Sequence, residues 1–400
     1  MRLSTSSGVT VVLLGTSLVA STPRSPSLAS AAAIQSWTSR EQAKNKQVKS
    51  IRIIQQTGAR PRFSPGGDLL VFDRPNADGF YDVYLSDLRG NVVASLTDHK
   101  RGINQRNNGN ARFHPSGAFI VFVSEEERHF GVVFKHLADP GVGLYSNLWA
   151  TDPKGSRFWR LTDTPIKKRL ADRVESMAVV NPLFSPDGSM LLWTERYAEG
   201  GHGKWGRWRI KAADFVVSGG NPSLRNERVL FTPKTGNYVT AMGFLDPGRL
   251  VVAGNLDGQH EFGMDQYVYG LKSRETVDLT NTPEVWEEDS SVAPNGQIVY
   301  MTNIDSKYKF NFNNPNWPSQ PVEREYYTMN GDGSRKQRLT YFNDPSAPEY
   351  VGNRTLVAAS DVSPDGRYIA GTMGVDHGTG DKRENVVLKV ILIECSSPLK

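Results

Sequence analysis

Two groups of side chains in the sequence could do chemistry, and the first consists of acids and histidines. Three consecutive carboxylates, Glu287, Glu288 and Asp289, precede a run of strand-forming residues. Carboxylate oxygens are the hard ligands that divalent cations such as Ca²⁺ prefer, and His202 and His260 are candidates to complete such a site. No pair of the seven histidines has the i, i+4 spacing of a helical zinc motif. We therefore expect no cofactor but allow a divalent cation here. The alternatives are a solvated acidic connector and ordinary surface histidines.

The second group consists of aromatic rings that lie among amides, prolines and glycines. Such rings stack on sugars or grip peptides, and an aromatic contact contributes about 0.5–1.5 kcal/mol beyond the burial of its area. The candidate ligand-binding residues are Asn110, Trp205, Trp208, Trp286, Tyr308 and Trp317. The alternative is that the rings hold the loops against the body of the protein.

A short pattern that recurs six times defines the elements that must position these residues. It consists of a hydrophobic residue, one or two intervening residues, Pro and then Gly, as in the Phe-Ser-Pro-Asp-Gly of residues 184–188. The six prolines are Pro65, Pro115, Pro186, Pro247, Pro294 and Pro364. Pro presets φ at the first central position of a tight turn and Gly supplies a positive φ. Each copy therefore predicts a turn between two strands, and four units also end in Leu-Thr, at 96–97, 161–162, 279–280 and 339–340.

These repeats predict an all-β fold, a six-bladed β-propeller of four-stranded antiparallel blades. A single four-stranded unit cannot bury both of its faces, whereas radial packing of six units around an axis buries them all. The last unit supplies only three strands, and residues 50–54 precede the first motif without belonging to any blade. We therefore expect an N-terminal strand to complete the last blade and close the ring.

The first 33 residues differ in composition from the rest. An apolar stretch at 9–20 is followed by small residues that include Ala-x-Ala patterns, as in a secretory signal peptide, and is too short to cross a bilayer. The alternative is a floppy Ser- and Ala-rich tail. We expect a signal peptide at 1–33, a lead-in segment at 34–48 and one propeller domain at 49–400, in a periplasmic or secreted protein.

Composition excludes several classes of protein and partner. A hydrophobic fraction of 38% with 37 glycines and 23 prolines in 400 residues describes a turn-rich globular chain. The 47 basic and 42 acidic residues are spread along the chain without the basic stripe that nucleic-acid binding requires. The single cysteine, Cys395, allows no internal disulfide. We expect no nucleic-acid partner, no transmembrane segment and a monomer.

Several turns carry a resemblance to a known family. The turn at 184–188, the Asn-Gly-Asp-Gly at 330–333 and the Arg-Leu-Thr at 160–162 and 338–340 resemble the TolB-type propeller repeat. This WD-like unit also occurs in the propellers of prolyl-peptidase-type enzymes and oligogalacturonate lyases. The resemblance implies the fold and a periplasmic or secreted protein, commonly an interaction scaffold. The chain departs from the pattern in two ways: only 34–48 lies where TolB carries an additional α/β domain, and no Gly-x-Ser-x-Gly elbow of a peptidase occurs.

Loop lengths indicate which face binds. In a propeller, the connections from second to third strand and from blade to blade emerge on one face, here called the long-loop face because nearly all the length variation lies there. The opposite, short-turn face carries the Pro-Gly turns. Long loops on a rigid scaffold are where binding usually resides, so we expect a non-catalytic scaffold for a protein, peptide or envelope glycan. The alternative is a carbohydrate-active enzyme such as a metal-dependent polysaccharide lyase, in which side chains from at least three blades would converge near the axis.

Overall fold

The computed structural model describes residues 39–127, 129, 138–168, 177–200, 206–234, 237–260, 262–309, 311, 320–380, 383 and 385–399. These residues form 25 strands in six antiparallel sheets and no α-helix. The first strands of the six sheets contact one another in sequence around a ring. The protein is therefore a six-bladed β-propeller, as the repeats predict. None of the described residues belongs to a helix long and apolar enough to cross a membrane.

Each blade is a meander whose first strand lies nearest the axis. Blade 1 contains β3 (Ala59–Phe63), β4 (Leu69–Pro75), β5 (Tyr81–Asp87) and β6 (Val92–Ser95). Blade 2 contains β7 (Asn108–Phe113), β8 (Ile120–Glu125), β9 (Ser146–Thr151) and β10 (Phe158–Arg160). Blade 3 contains β11 (Ala178–Phe184), β12 (Met190–Ala198), β13 (Arg207–Ser218) and β14 (Asn221–Phe231).

The remaining blades follow the same order. Blade 4 contains β15 (Val239–Asp246), β16 (Arg249–Gly254), β17 (Asp265–Gly270) and β18 (Thr276–Asp278). Blade 5 contains β19 (Glu287–Val292), β20 (Ile298–Thr302), β21 (Glu325–Met329) and β22 (Gln337–Arg338). Blade 6 contains β23 (Arg354–Val362), β24 (Tyr368–Asp376) and β25 (Val387–Cys395), with β2 (Val48–Gln55) and β1 (Ser39–Arg40) outside them.

The N-terminal strand closes the ring, as the strand count predicts. Strand β2 pairs antiparallel with β25 and places Ile51 opposite Ile393, and both side chains are fully buried. Strand β1 then pairs with β2 as a fifth strand, which the repeats do not predict. Blade 6 is therefore built from both ends of the chain.

The Pro-Gly turns owe their shape to a local hydrogen-bond pattern. In blade 3 the Ser185 hydroxyl donates to Asp187 at 2.6 Å and accepts from the backbone N of Met190 at 2.9 Å. The glycine of this turn, Gly188, has a φ of 74°, and a Cβ there would lie 2.5 Å from the His114 ring. The turn therefore requires glycine for its backbone and for its contact with the neighbouring blade.

The Leu-Thr motif is a second repeated device, which we call the threonine clasp. In four blades the threonine hydroxyl donates to a polar side chain 15 residues earlier on the third strand. The pairs are Thr97 with Asp82 at 2.6 Å, Thr162 with Asn147 at 2.9 Å, Thr280 with Asp265 at 2.8 Å and Thr340 with Glu325 at 2.6 Å. The same hydroxyl also accepts a hydrogen bond, at 2.8–3.0 Å, from the backbone N of the residue that follows this polar side chain on the third strand. The clasp thus joins the segment after each outermost strand to the buried third strand.

Candidate functional site

The structure places the three acids in a buried strand instead of a solvated connector. Glu287, Glu288 and Asp289 begin β19 and are 2%, 1% and 5% exposed. Successive side chains of a strand point to opposite faces, so Glu287 and Glu288 take different surroundings. A β-bulge interrupts this alternation at Asp289, whose φ is 52°. Glu287 accepts a hydrogen bond from Thr282 at 2.9 Å, and Glu288 accepts one from the Trp286 indole at 3.1 Å.

Burial changes the proton affinity of these acids. Desolvation raises the pKa of Glu287 to about 7. It also raises the pKa values of Glu288 and Asp289, which repel each other. Among the described residues, no group of three or more His, Cys, Asp or Glu side chains is arranged to hold a metal ion. His202 lies outside the described residues, so a cation at this place stays a prediction.

Asn110 belongs to a chain of polar side chains on the inner strands. Its amide donates to Asn181 of blade 3 at 2.7 Å, and Asn181 donates to Thr240 of blade 4 at 2.8 Å. The backbone N of Asn110 donates to the buried carboxylate of Asp73 in blade 1. This carboxylate also accepts a hydrogen bond from Arg60. Asn110 is 4% exposed, so it links neighbouring blades around the axis.

The structure places two of the candidate tryptophans in the interior. Trp208 is fully buried because β13 begins at residue 207 and carries it into the sheet, where its ring contacts Tyr238 edge-on at 5.3 Å. Trp286 is 4% exposed, and the centre of its ring lies 5.0 Å from that of Phe262. The His260 ring lies 5.6 Å from Phe262. Trp205 and Trp317 lie outside the described residues.

Tyr308 lines a cleft on the long-loop face between blades 5 and 6. The cleft has a volume of about 180 Å³. Three long connections form it, namely the β20–β21 loop, the connector from blade 5 to blade 6 and the β24–β25 loop. The lining residues are Lys307, Tyr308, Glu323, Asn343, Tyr350, Gly352, Asn353, Arg354, Gly378 and Gly380. Tyr308 is thus a candidate ligand-binding residue that lines a cavity.

Ion pairs fix the charged groups of the cleft. Arg354 donates to Asp376 at 2.7 Å and to the carbonyl of Gly380 at 2.9 Å, and its guanidinium lies 5.0 Å from the centre of the Tyr308 ring. The Lys307 ammonium lies 2.9 Å from Glu323, and the hydrogen bond to this carboxylate raises the pKa of the lysine. The cleft therefore offers a preorganised polar wall beside a tyrosine ring, which suits a ligand rich in hydroxyl or amide groups.

Sequence reasoning missed most of the cleft. It identified Tyr308 because a ring in a long polar loop stands out, but not Arg354, which is the first residue of β23. The sequence does show that three long connections belong to two consecutive blades, and this could have indicated the cleft. It locates the region but does not reveal which side chains meet there.

Comparisons with known proteins identify similar folds. No family model matches the sequence, and no curated protein matches it. A solved structure of a putative TolB from Agrobacterium tumefaciens is 14% identical, with 86% of this chain and 94% of that chain covered and a TM-score of 0.47. TolB from Acinetobacter baumannii is 13% identical, with 84% and 65% covered and a TM-score of 0.46. An oligogalacturonate lyase in complex with manganese is 14% identical, with 90% and 97% covered and a TM-score of 0.46. At these identities the likeness concerns the fold alone.

Proposed function

We propose that the protein is an exported, non-catalytic binding scaffold whose long-loop face holds an envelope glycan, peptide or protein segment. The observation that carries this proposal is the cleft at Tyr308, where a ring and paired charges meet on the face that has the long connections. The six blades supply a rigid support for these loops, which favours a preorganised site.

The size of the cleft indicates how the ligand binds. Pockets that enclose a drug-sized molecule have volumes of roughly 300–1,000 Å³, whereas this cleft has about 180 Å³. It therefore suits one unit of a polymer, with the neighbouring units lying across the face. Asn353 provides an amide group for hydroxyls or backbone groups of that unit, and Tyr308 provides a stacking surface. The amide of Asn343 is bonded to Glu325 and Thr355 and shapes the wall of the cleft.

Replacement of Tyr308 by alanine tests the proposal. Titration calorimetry with soluble peptidoglycan fragments, neutral and acidic oligosaccharides and synthetic decapeptides should identify a ligand. Loss of a ring contact of about 0.5–1.5 kcal/mol should weaken its binding roughly two- to twelve-fold in Tyr308→Ala. Tyr368→Ala is the matched control, because Tyr368 follows a Pro-Gly turn on the opposite face. Absence of binding by the whole panel, or equal weakening in both variants, would contradict the proposed site.

One observation favours the alternative of a carbohydrate-active enzyme. Desolvation raises the pKa of two buried acids, Glu287 and Asp139, to about 7, and perturbed acids of this kind serve as general acids or bases. Incubation of the protein with the same oligosaccharides, with and without added Mn²⁺ or Ca²⁺, tests this alternative. Chain cleavage that Glu287→Gln abolishes would replace the scaffold proposal by an enzymatic one.

A further inference from the structure

A second cluster of charges lies at the other end of the axis, near the short-turn face. Arg62, Arg112 and Asp361 occupy equivalent positions on the inner strands of blades 1, 2 and 6, each one residue before its strand ends. Arg62 donates to the carbonyl of Ser360, and Asp361 accepts the backbone N of Phe63 at 2.8 Å. Three separate blades therefore converge at this point.

Arg112 is the weakly paired member of the cluster. The charges of Asp73 and Asp289 act on Arg62 in addition to Asp361, whereas the acid beside Arg112 is Asp361, at 3.6 Å, which is longer than a hydrogen bond. The Nε atom of Arg112 is buried and has no hydrogen-bond partner among the described residues. By contrast, the buried pairs Arg60–Asp73 and Arg354–Asp376 are directly hydrogen-bonded. Among the described residues, Arg112 is thus paired with a carboxylate only at this longer distance.

Two further properties indicate that Arg112 can bind an anion. Burial and the nearby charge of Arg62 lower the pKa of Arg112 to about 10, so it still carries its charge at neutral pH. The Arg112 side chain is 22% exposed and that of Asp361 is 15% exposed, whereas the side chain of Arg60, farther along the axis, is only 3% exposed. A small solute can therefore reach the cluster from the short-turn face.

We propose that Arg62 and Arg112 form a binding site for a small oxyanion, a phosphate or a carboxylate, at the short-turn end of the axis. A guanidinium presents its N–H groups in a fork that matches two oxygens of such an anion. The anion pairs with the charge of Arg112, whose side chain is partly exposed and lies 3.6 Å from Asp361. Asp361 limits the affinity by repelling the anion. This site is separate from the cleft at Tyr308 and does not depend on the function proposed for it.

Calorimetry and thermal unfolding of the full chain in phosphate test the site, with chloride at equal ionic strength as the reference and acetate as the carboxylate probe. Phosphate should bind the wild-type protein and raise its Tm above the chloride value. Arg112→Gln should weaken phosphate binding at least tenfold, and Asp361→Asn should strengthen it severalfold because the repulsive charge is removed. Stronger binding of phosphate than of acetate would identify a phosphate site, and the reverse order a carboxylate site.

The chain offers a matched control pair. Arg367 and Asp365 form an exposed ion pair at 3.4 Å in the blade 6 turn, so Arg367→Gln and Asp365→Asn make the same charge changes outside the cluster and should leave binding unchanged. If Arg112→Gln fails to fold, ³¹P line broadening on the wild type and Asp361→Asn decides the question. Equal effects of phosphate, acetate and chloride on the wild type would overturn the proposal. Unaltered binding in Arg112→Gln, or no gain in Asp361→Asn, would overturn it as well.

Discussion

Glu287 shows how a strand position sets the chemistry of a residue. Desolvation raises its pKa from 4.5 to about 7, so between these values the folded protein keeps a proton that the unfolded chain has lost. Its contribution to stability is complete below about pH 4.5 and is lost as the pH rises through about 7. The loss is at most on the order of 3 kcal/mol, since one unit of pKa corresponds to about 1.4 kcal/mol.

Glu287→Gln should remove this pH dependence, because glutamine resembles the protonated acid and can still accept the hydrogen bond from Thr282. Urea unfolding at pH 5 and pH 8 measures the effect. The free energy of unfolding of the variant should fall less between the two values than that of the wild type. Glu275→Gln, at an exposed position just before β18, is the control and should follow the wild type. Parallel curves for all three proteins would show that Glu287 titrates normally.

At the scale of the element, the threonine clasp makes a prediction about stability. Thr162 is 7% exposed, and its hydroxyl accepts the backbone N of Leu148 at 2.8 Å. Thr162→Val keeps the shape but leaves this buried N–H without its acceptor, at a cost of about 1–3 kcal/mol. Thr162→Ser retains the hydroxyl and should cost clearly less. Urea denaturation measures the free energy of unfolding of the three proteins. Equal values for the valine and serine variants would mean that the clasp does not contribute to stability.

The elements also show what the sequence could predict and what it could not. Pro-Gly turns and Leu-Thr ends are local patterns, so they predict the blades and even the strand that closes the ring. The burial of Glu287 and Trp208 depends on contacts with residues outside their own strands, such as Thr282 and Tyr238, which no local pattern records. The cleft at Tyr308 likewise depends on three loops that meet only in space. Architecture was therefore readable from the sequence, whereas the environment of each candidate residue was not.

At the scale of the whole molecule, the ring depends on pairing between the two ends of the chain. Each blade packs against two neighbours, and the first strands form a continuous circle. Both candidate sites need this circle, because the cleft lies between blades 5 and 6 and the arginine cluster draws on blades 6, 1 and 2. Blade 6 contributes to both sites, and its strand β2 comes from the N-terminal end.

Ile51 on β2 allows the closure to be tested. Its side chain is fully buried opposite Ile393, so Ile51→Asn places a polar amide in the contact between the two ends, with an expected loss of at least about 3 kcal/mol. Lys49→Asn, on the same strand with a side chain 61% exposed, should lose clearly less, because exposed ion pairs contribute little to stability. Hydrogen exchange should show faster exchange of the β25 amides in Ile51→Asn than in Lys49→Asn. If only the β2 amides lost protection from exchange, while β25 and the neighbouring inner strands stayed protected, the ring would hold without its closing strand.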